Sequence, residues 1–185
     1  WNLLFFGVFG GMVLALIIYN LNMFINLKEI SFVWYILHAL SITWFQYAFG
    51  GVFYFMDLGI DLYFLTVSAV IAPCLFLVFF LLFVTNIFGL YEKKRKLFIY
   101  FMALATVNFT IAILLFFGLY GDMEWGQFFY IHVVWVITMI SIAIFLIYAF
   151  WKGFPYAWYF LVGEGTYALV ATTLLFISMK TDIWR

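Results

Sequence analysis

The sequence predicts an all-α integral membrane protein, a polytopic helical bundle with six transmembrane helices in the visible chain. Three observations predict it. Only 9% of the residues are charged against 70% that are hydrophobic, and a soluble domain of this length does not bury so much apolar surface. Nearly all the charge falls in short clusters: Lys28-Glu29, Asp57 and Asp61, Glu92 to Lys96, Asp122 and Glu124, Lys152, and Lys180 to Arg185. Between clusters lie apolar runs that reach the ~20 residues needed to cross a ~30 Å hydrocarbon core.

Taken in order, the runs place helices at roughly 3–27, 30–56, 62–90, 97–121, 128–151 and 157–179. The first contains Gly7-Val8-Phe9-Gly10-Gly11, a small-xxx-small pattern that permits close helix contact, and ends near Tyr19-Asn20-Leu21-Asn22. Asn20 is expected to hydrogen-bond across helices. The second span carries His38. The third holds Pro73, which removes a backbone donor and is expected to kink the helix and free a carbonyl near its centre. It also holds Cys74, the chain's one cysteine, so no intrachain disulfide exists. In the fourth span Asn108-Phe109-Thr110 matches a glycosylation sequon, but its position inside a span removes that meaning. His132 lies in the fifth and Glu164 in the sixth, where Gly163 and Gly165 flank it. Short connections make sequence neighbours antiparallel neighbours in space, and residues 1–185 read as a single transmembrane domain.

Loop charge gives the orientation, because cytoplasmic loops carry an excess of Lys and Arg. Lys28, Lys93, Lys94, Arg95, Lys96 and Lys152 fall on one side; Lys180 and Arg185 fall on the other with Asp57, Asp61, Asp122, Glu124 and Asp182. The first side is expected to be cytoplasmic, in the inner membrane, with the N-terminus outside. The run Lys93-Lys94-Arg95-Lys96 reads as a topology determinant in contact with phospholipid headgroups. The chain begins on Trp1, with no basic region or cleavage site ahead of the first span, and stops just past the sixth. That is the arrangement expected of a fragment of a longer protein. Aromatic residues near the expected interfaces, Trp34, Tyr35, Tyr91, Tyr120, Trp125, Trp151, Tyr156, Trp158 and Trp184, form the expected belt. The deeper phenylalanines read as packing or lipid-facing residues.

Most chemistries are excluded by what is missing. There is no Gly-x-Ser-x-Gly elbow, His-Glu-x-x-His pair or phosphate loop, and every lysine lies in a loop or at a helix end. The net charge of zero gives no reason to expect nucleic acid as a partner. Neither Asp57/Asp61 nor Asp122/Glu124 supplies enough oxygen ligands for calcium. No catalysis, cofactor or metal is expected.

Ionisable groups inside spans are candidate functional residues because burying their charge is costly. At 1.5 Å per residue His38 and Glu164 both lie ~12 Å deep, and His132 only ~6 Å from the outer side. The two histidines are therefore too far apart along the membrane normal to share one haem iron. His38 and Glu164 share a level, so a buried His38–Glu164 contact is expected if their helices are neighbours. The alternative is that each finds a separate partner, such as a hydroxyl or a backbone carbonyl.

The run YNLNMFINLKEISFVWYILHALSI resembles the opening of the bacterial seven-transmembrane receptors with diverse intracellular signalling modules. Tyr19, Asn20, Lys28, Glu29, Trp34, Tyr35 and Gly50 carry that likeness. Lys152, Gly153, Pro155, Ala157 and Tyr159 in WKGFPYAWYFLVGE resemble the same family's basic-Gly-x-Pro lead-in to helix six. Two features depart from the pattern: Tyr156 is an extra residue between Pro155 and Ala157, and Glu164 stands where an apolar side chain is expected. The resemblance implies a sensor that relays an extracytoplasmic signal to a cytoplasmic output module by helix repacking, with the seventh helix following Arg185. His38, Glu164, Asn20, Tyr19 and Pro73 are the candidate coupling residues. The runner-up reading is a non-catalytic subunit of a larger membrane complex. Expected partners are membrane lipid and other membrane subunits or a receptor dimer.

Overall fold

A computed structural model of the chain describes residues 2–49, 62–118, 125–154 and 157–163. Among the described residues the structure is helical throughout, with no strand. The helices are α1 (Asn2–Leu27), α2 (Ile30–Phe49), α3 (Leu62–Ile87), the single turn α4 (Leu90–Lys93), α5 (Arg95–Phe116) and α6 (Trp125–Trp151), and residues 157–163 are again helical. Gly7–Leu27, Arg95–Phe116 and Val133–Trp151 are each long and apolar enough to cross a membrane, and Ile71–Ile87 is a shorter apolar stretch. Helices occupy the expected apolar runs where the residues are described, apart from turns at Phe88-Gly89 and Phe117-Gly118, and three of them are long and apolar enough to cross a membrane. The C-terminal parts of the second, fourth and sixth expected spans, at 50–56, 119–121 and 164–179, lie outside the described residues.

Two ends differ from the sequence expectation, each for a glycine. The third span stops at Ile87, because Gly89 adopts the left-handed conformation (φ 59°) and α4 fills the turn. The fourth stops at Phe116, where Gly118 is left-handed (φ 62°) and its N–H donates to the Leu115 carbonyl. Glycine adopts this backbone without the Cβ penalty that other residues meet. The same device closes α6: Gly153 (φ 66°) donates to Phe150 and Phe154 donates to Ala149, the paired bonds of a Schellman cap. The basic-Gly-x-Pro stretch therefore has a backbone reason, with Gly153 turning the chain two residues before Pro155.

By their internal contacts the residues form two units, Trp1–Thr138 and Met139–Arg185, divided within α6. In the first, α1 packs on α2, α2 on α3 and α3 on α5. This order explains the burial pattern. Helix α3 lies between two neighbours, and Leu77, Leu81 and Val84 on it are fully buried, with Phe80 2% exposed. Among the described residues helix α1 packs chiefly on α2, and among its described side chains only Val13 and Asn20 are buried. With Gly10, Ile17 and Phe24, which are half-buried, they form a seam spaced by three and four residues, the 3.5-residue period of helices that pack with a left-handed twist. Of the glycines in the small-xxx-small run, only Gly10 meets α2: a Cβ there would collide with the Tyr47 hydroxyl, whereas Gly7 and Gly11 face open space. Elsewhere on α1, Met12, Leu16 and Ile25 expose apolar side chains, which suits a lipid solvent. In the second unit Ile142, Phe145, Leu146, Ala149 and Ala157 are buried, and Phe150 lies against Trp158 with ring centroids 5.8 Å apart.

Candidate functional site

Rings meet along the α2–α3 interface. Trp34 stacks on Phe79 at 6.3 Å, and Tyr35 meets the edge of Phe83 at 5.2 Å. These two residues, also expected in the interfacial belt, face a neighbouring helix. The half-exposed positions of α2 hold them there because α3 is aromatic at 76, 79, 80 and 83. Tyr91, Trp151 and Trp158, also expected in the belt, are well exposed.

At the centre of this layer His38 is 6% exposed. Its imidazole lies 4.4 Å from the Phe76 ring and 4.9 Å from the Phe80 ring, with Tyr35 at 6.2 Å. Offset aromatic contacts at such distances are worth about 0.5–1.5 kcal/mol beyond simple burial. His38 Nδ1 lies 3.3 Å from the Phe76 carbonyl oxygen. A carbonyl only accepts, so Nδ1 carries the proton in this contact and Nε2 is left as the other ring nitrogen. The result is a polar clasp between two helices inside an apolar, aromatic layer. It sits one helical turn beyond Pro73, whose missing N–H weakens the local ladder of α3.

One partner of His38 is a main-chain carbonyl, that of Phe76. Glu164 lies outside the described residues, as does the expected His38–Glu164 contact. His132 lies in α6, with its side chain outside the described residues. Asn20 corrects an expectation: its amide donates to the Leu16 carbonyl at 2.8 Å within α1 rather than across helices. Its burial against α2 explains this, since a donor facing an apolar neighbour is satisfied by the carbonyl one turn back in its own helix. Tyr19 is 61% exposed and does not face that seam. Lys93, Lys94, Arg95 and Lys96 are all exposed at the turn joining α3 to α5. Among the described residues no group of three or more His, Cys, Asp or Glu side chains is arranged to hold a metal.

Sequence reasoning missed a second polar clasp. Asn108 is 1% exposed and Thr138 0%. The Asn108 amide donates to the Leu104 carbonyl at 2.8 Å and to the Thr138 hydroxyl at 3.1 Å; that hydroxyl donates to the Val134 carbonyl at 2.7 Å. Among the described residues no buried side-chain nitrogen or oxygen lacks a partner, which is what makes such burial tolerable. A signal was present. Phe101, Ala105, Asn108, Ala112 and Leu115 are buried at alternating spacings of four and three, so Asn108 occupies a seam position of α5, where a lone asparagine pairs with a neighbouring helix and sets register. Interhelical hydrogen bonds in membranes average about 0.6 kcal/mol and reach about 1.7. Asn108→Leu and Thr138→Val each lower stability by that order, and the double variant costs less than their sum. Strict additivity in an unfolding titration of all four proteins contradicts the clasp.

A sequence model of the 7TM diverse intracellular signalling family matches residues 2–183, the length over which the Tyr19–Gly50 and Lys152–Tyr159 resemblances were distributed. Neither the curated proteins nor the solved structures compared contain a match. With nearly the whole chain covered by one family, apolar helices long enough to cross a bilayer and a buried polar clasp between two of them, the chain belongs to the 7TM diverse intracellular signalling family and is an integral membrane sensor and signalling domain.

Proposed function

We propose that this domain relays an extracytoplasmic signal to a cytoplasmic output module by repacking α2 against α3, without catalysing a reaction itself. The observation that carries the reading is the His38 clasp. It is the kind of contact that has two discrete arrangements, made or broken, in a layer whose rings otherwise fix only shape. A signal shifts such an equilibrium by as much as its affinity differs between the two packings. A bond worth about 0.6–1.7 kcal/mol in a membrane corresponds to a shift of about 3- to 20-fold in the ratio of states. Pro73, one turn away, lowers the cost of moving that part of α3 because one ladder bond is already absent.

The reading places six spans in the inner membrane as a single transmembrane domain, with the Lys28, Lys93–Lys96 and Lys152 turns in the cytoplasm and the N-terminus outside. Its support is the bias of basic residues between alternate loops. Thiol labelling tests it in a background where buried Cys74 is replaced by Ala. Lys94→Cys reacts with a membrane-impermeant maleimide only in inverted vesicles, and Asp122→Cys only in right-side-out cells. The opposite pattern contradicts the sidedness, and labelling of both positions from one side contradicts the number of spans between them.

A further inference from the structure

We propose that the α3–α5 turn and the outer face of α5 form a binding site for an anionic phospholipid, its headgroup on Lys93, Lys94, Arg95 and Lys96 and an acyl chain along α5. The proposal rests on the transmembrane reading given above, which puts this turn at a membrane surface, where anionic lipids attract clustered cations.

Four consecutive cations stand against one nearby acid, Glu92, and all five side chains are exposed. Among the described residues none of the four cations is held in an ion pair. The turn that carries them is nevertheless fixed. Phe88 is 2% exposed and Leu90 0%, so buried anchors grip its start, and the Lys94 carbonyl accepts from Phe98 N–H at 3.0 Å as α5 begins. Helix α5 starts without a side-chain cap and without an acidic residue in its first turn. Arg95 and Lys96 therefore lie at the positive end of the helix dipole, where an anion is favourable and a cation is not.

What selects a lipid over an acidic protein is the surface continuous with the cations. Lys96, Ile99, Tyr100, Ala103, Val107 and Thr110 are all exposed and fall at helical spacing on one face of α5. Ala103 leaves a shallow step between Tyr100 and Val107. From Lys96 to Val107 the helix rises ~16 Å, comparable to the ~15 Å depth of one leaflet of a ~30 Å core. A charged patch that passes directly into an apolar track of that length matches a headgroup and its chain. Tyr91, 63% exposed with its ring against Phe98 at 5.3 Å, stands beside the cations at the level where amphipathic rings settle.

The test uses the purified chain in bilayer nanodiscs of phosphatidylcholine, with or without phosphatidylglycerol of the same acyl chains. Bound lipid is counted by native mass spectrometry after extraction. The expected result is selective retention of phosphatidylglycerol, falling about fivefold for each cation removed in the series K93Q, K94Q, R95Q and K96Q. Ala103→Trp, which blocks the track while keeping every charge, also lowers retention. Lys28→Gln leaves it unchanged, and thermal unfolding in phosphatidylcholine alone is the same for all variants. Equal retention of the two lipids, or full selectivity in the variant lacking all four cations, overturns the proposal and leaves the cations to an acidic protein. Equally strong displacement by inorganic phosphate assigns the site to a soluble anion and overturns it too. Labelling of Lys94→Cys from the outer side contradicts the orientation alone, because lipid selectivity in nanodiscs does not depend on it.

Discussion

Replacing Leu81 by Ala lowers the stability of the membrane-embedded chain by about 2 kcal/mol or more, whereas Ile99→Ala changes it by less than about 0.5 kcal/mol. Both are apolar side chains of apolar helices, and hydropathy does not separate them. Position does: Leu81 is 0% exposed and Ile99 58%. In a bilayer the lipid is as apolar as leucine, so little of the Leu81 cost comes from transfer out of water. The loss is of packing, since a cavity between α3 and its neighbours leaves the surrounding atoms without contacts on one side. Lipid fills the space left at Ile99. Unfolding in mixed micelles with increasing SDS, followed by tryptophan fluorescence, reads both. Equal midpoints for the two variants contradict the central place of α3.

How far the sequence carried the reading differs from helix to helix. The C-terminal ends of α1 and α6 were legible to the residue, since Lys28-Glu29 and Lys152-Gly153 mark them with charge and with a backbone that leaves the α region. The ends of α3 and α5 were overextended, because Phe88-Gly89 and Phe117-Gly118 are as apolar as the helices before them. Hydropathy does not register a left-handed glycine. His38 stood out from composition alone, an ionisable group in an apolar run. Its partner did not, because a main-chain carbonyl has no letter of its own in the sequence. Asn108 and Thr138 were hidden for a related reason: neither carries charge, and only the four-three register of α5 distinguishes a buried asparagine from one facing lipid. Membership of the 7TM diverse intracellular signalling family was legible in the Tyr19–Gly50 and Lys152–Tyr159 runs, and the match over residues 2–183 agrees with it.

His38→Ala has the largest expected effect of any single change at the site. It removes the interhelical donor and leaves a cavity beside Phe76 and Phe80, with a cost of about 3–5 kcal/mol if the layer does not collapse. Two gentler substitutions separate shape from hydrogen bonding. His38→Phe keeps a ring in the stack and loses the donor. His38→Asn loses most of the ring but places an amide N–H close to where Nδ1 stands. A purely structural role predicts that His38→Phe is the better tolerated of the two in every assay. A role in setting the equilibrium between packings predicts that stability and signalling part company: His38→Phe folds well and signals wrongly, while His38→Asn is less stable and keeps the wild-type set point.

The relay reading is therefore tested most directly by the basal signalling output of the protein as the cell makes it, compared at equal membrane abundance for the wild type, His38→Phe and His38→Asn. A repacking relay through the α2–α3 clasp predicts that His38→Phe shifts the basal output ratio by about 3- to 20-fold and that His38→Asn restores it toward the wild-type value. Wild-type output from His38→Phe, in basal and stimulated states alike, contradicts it.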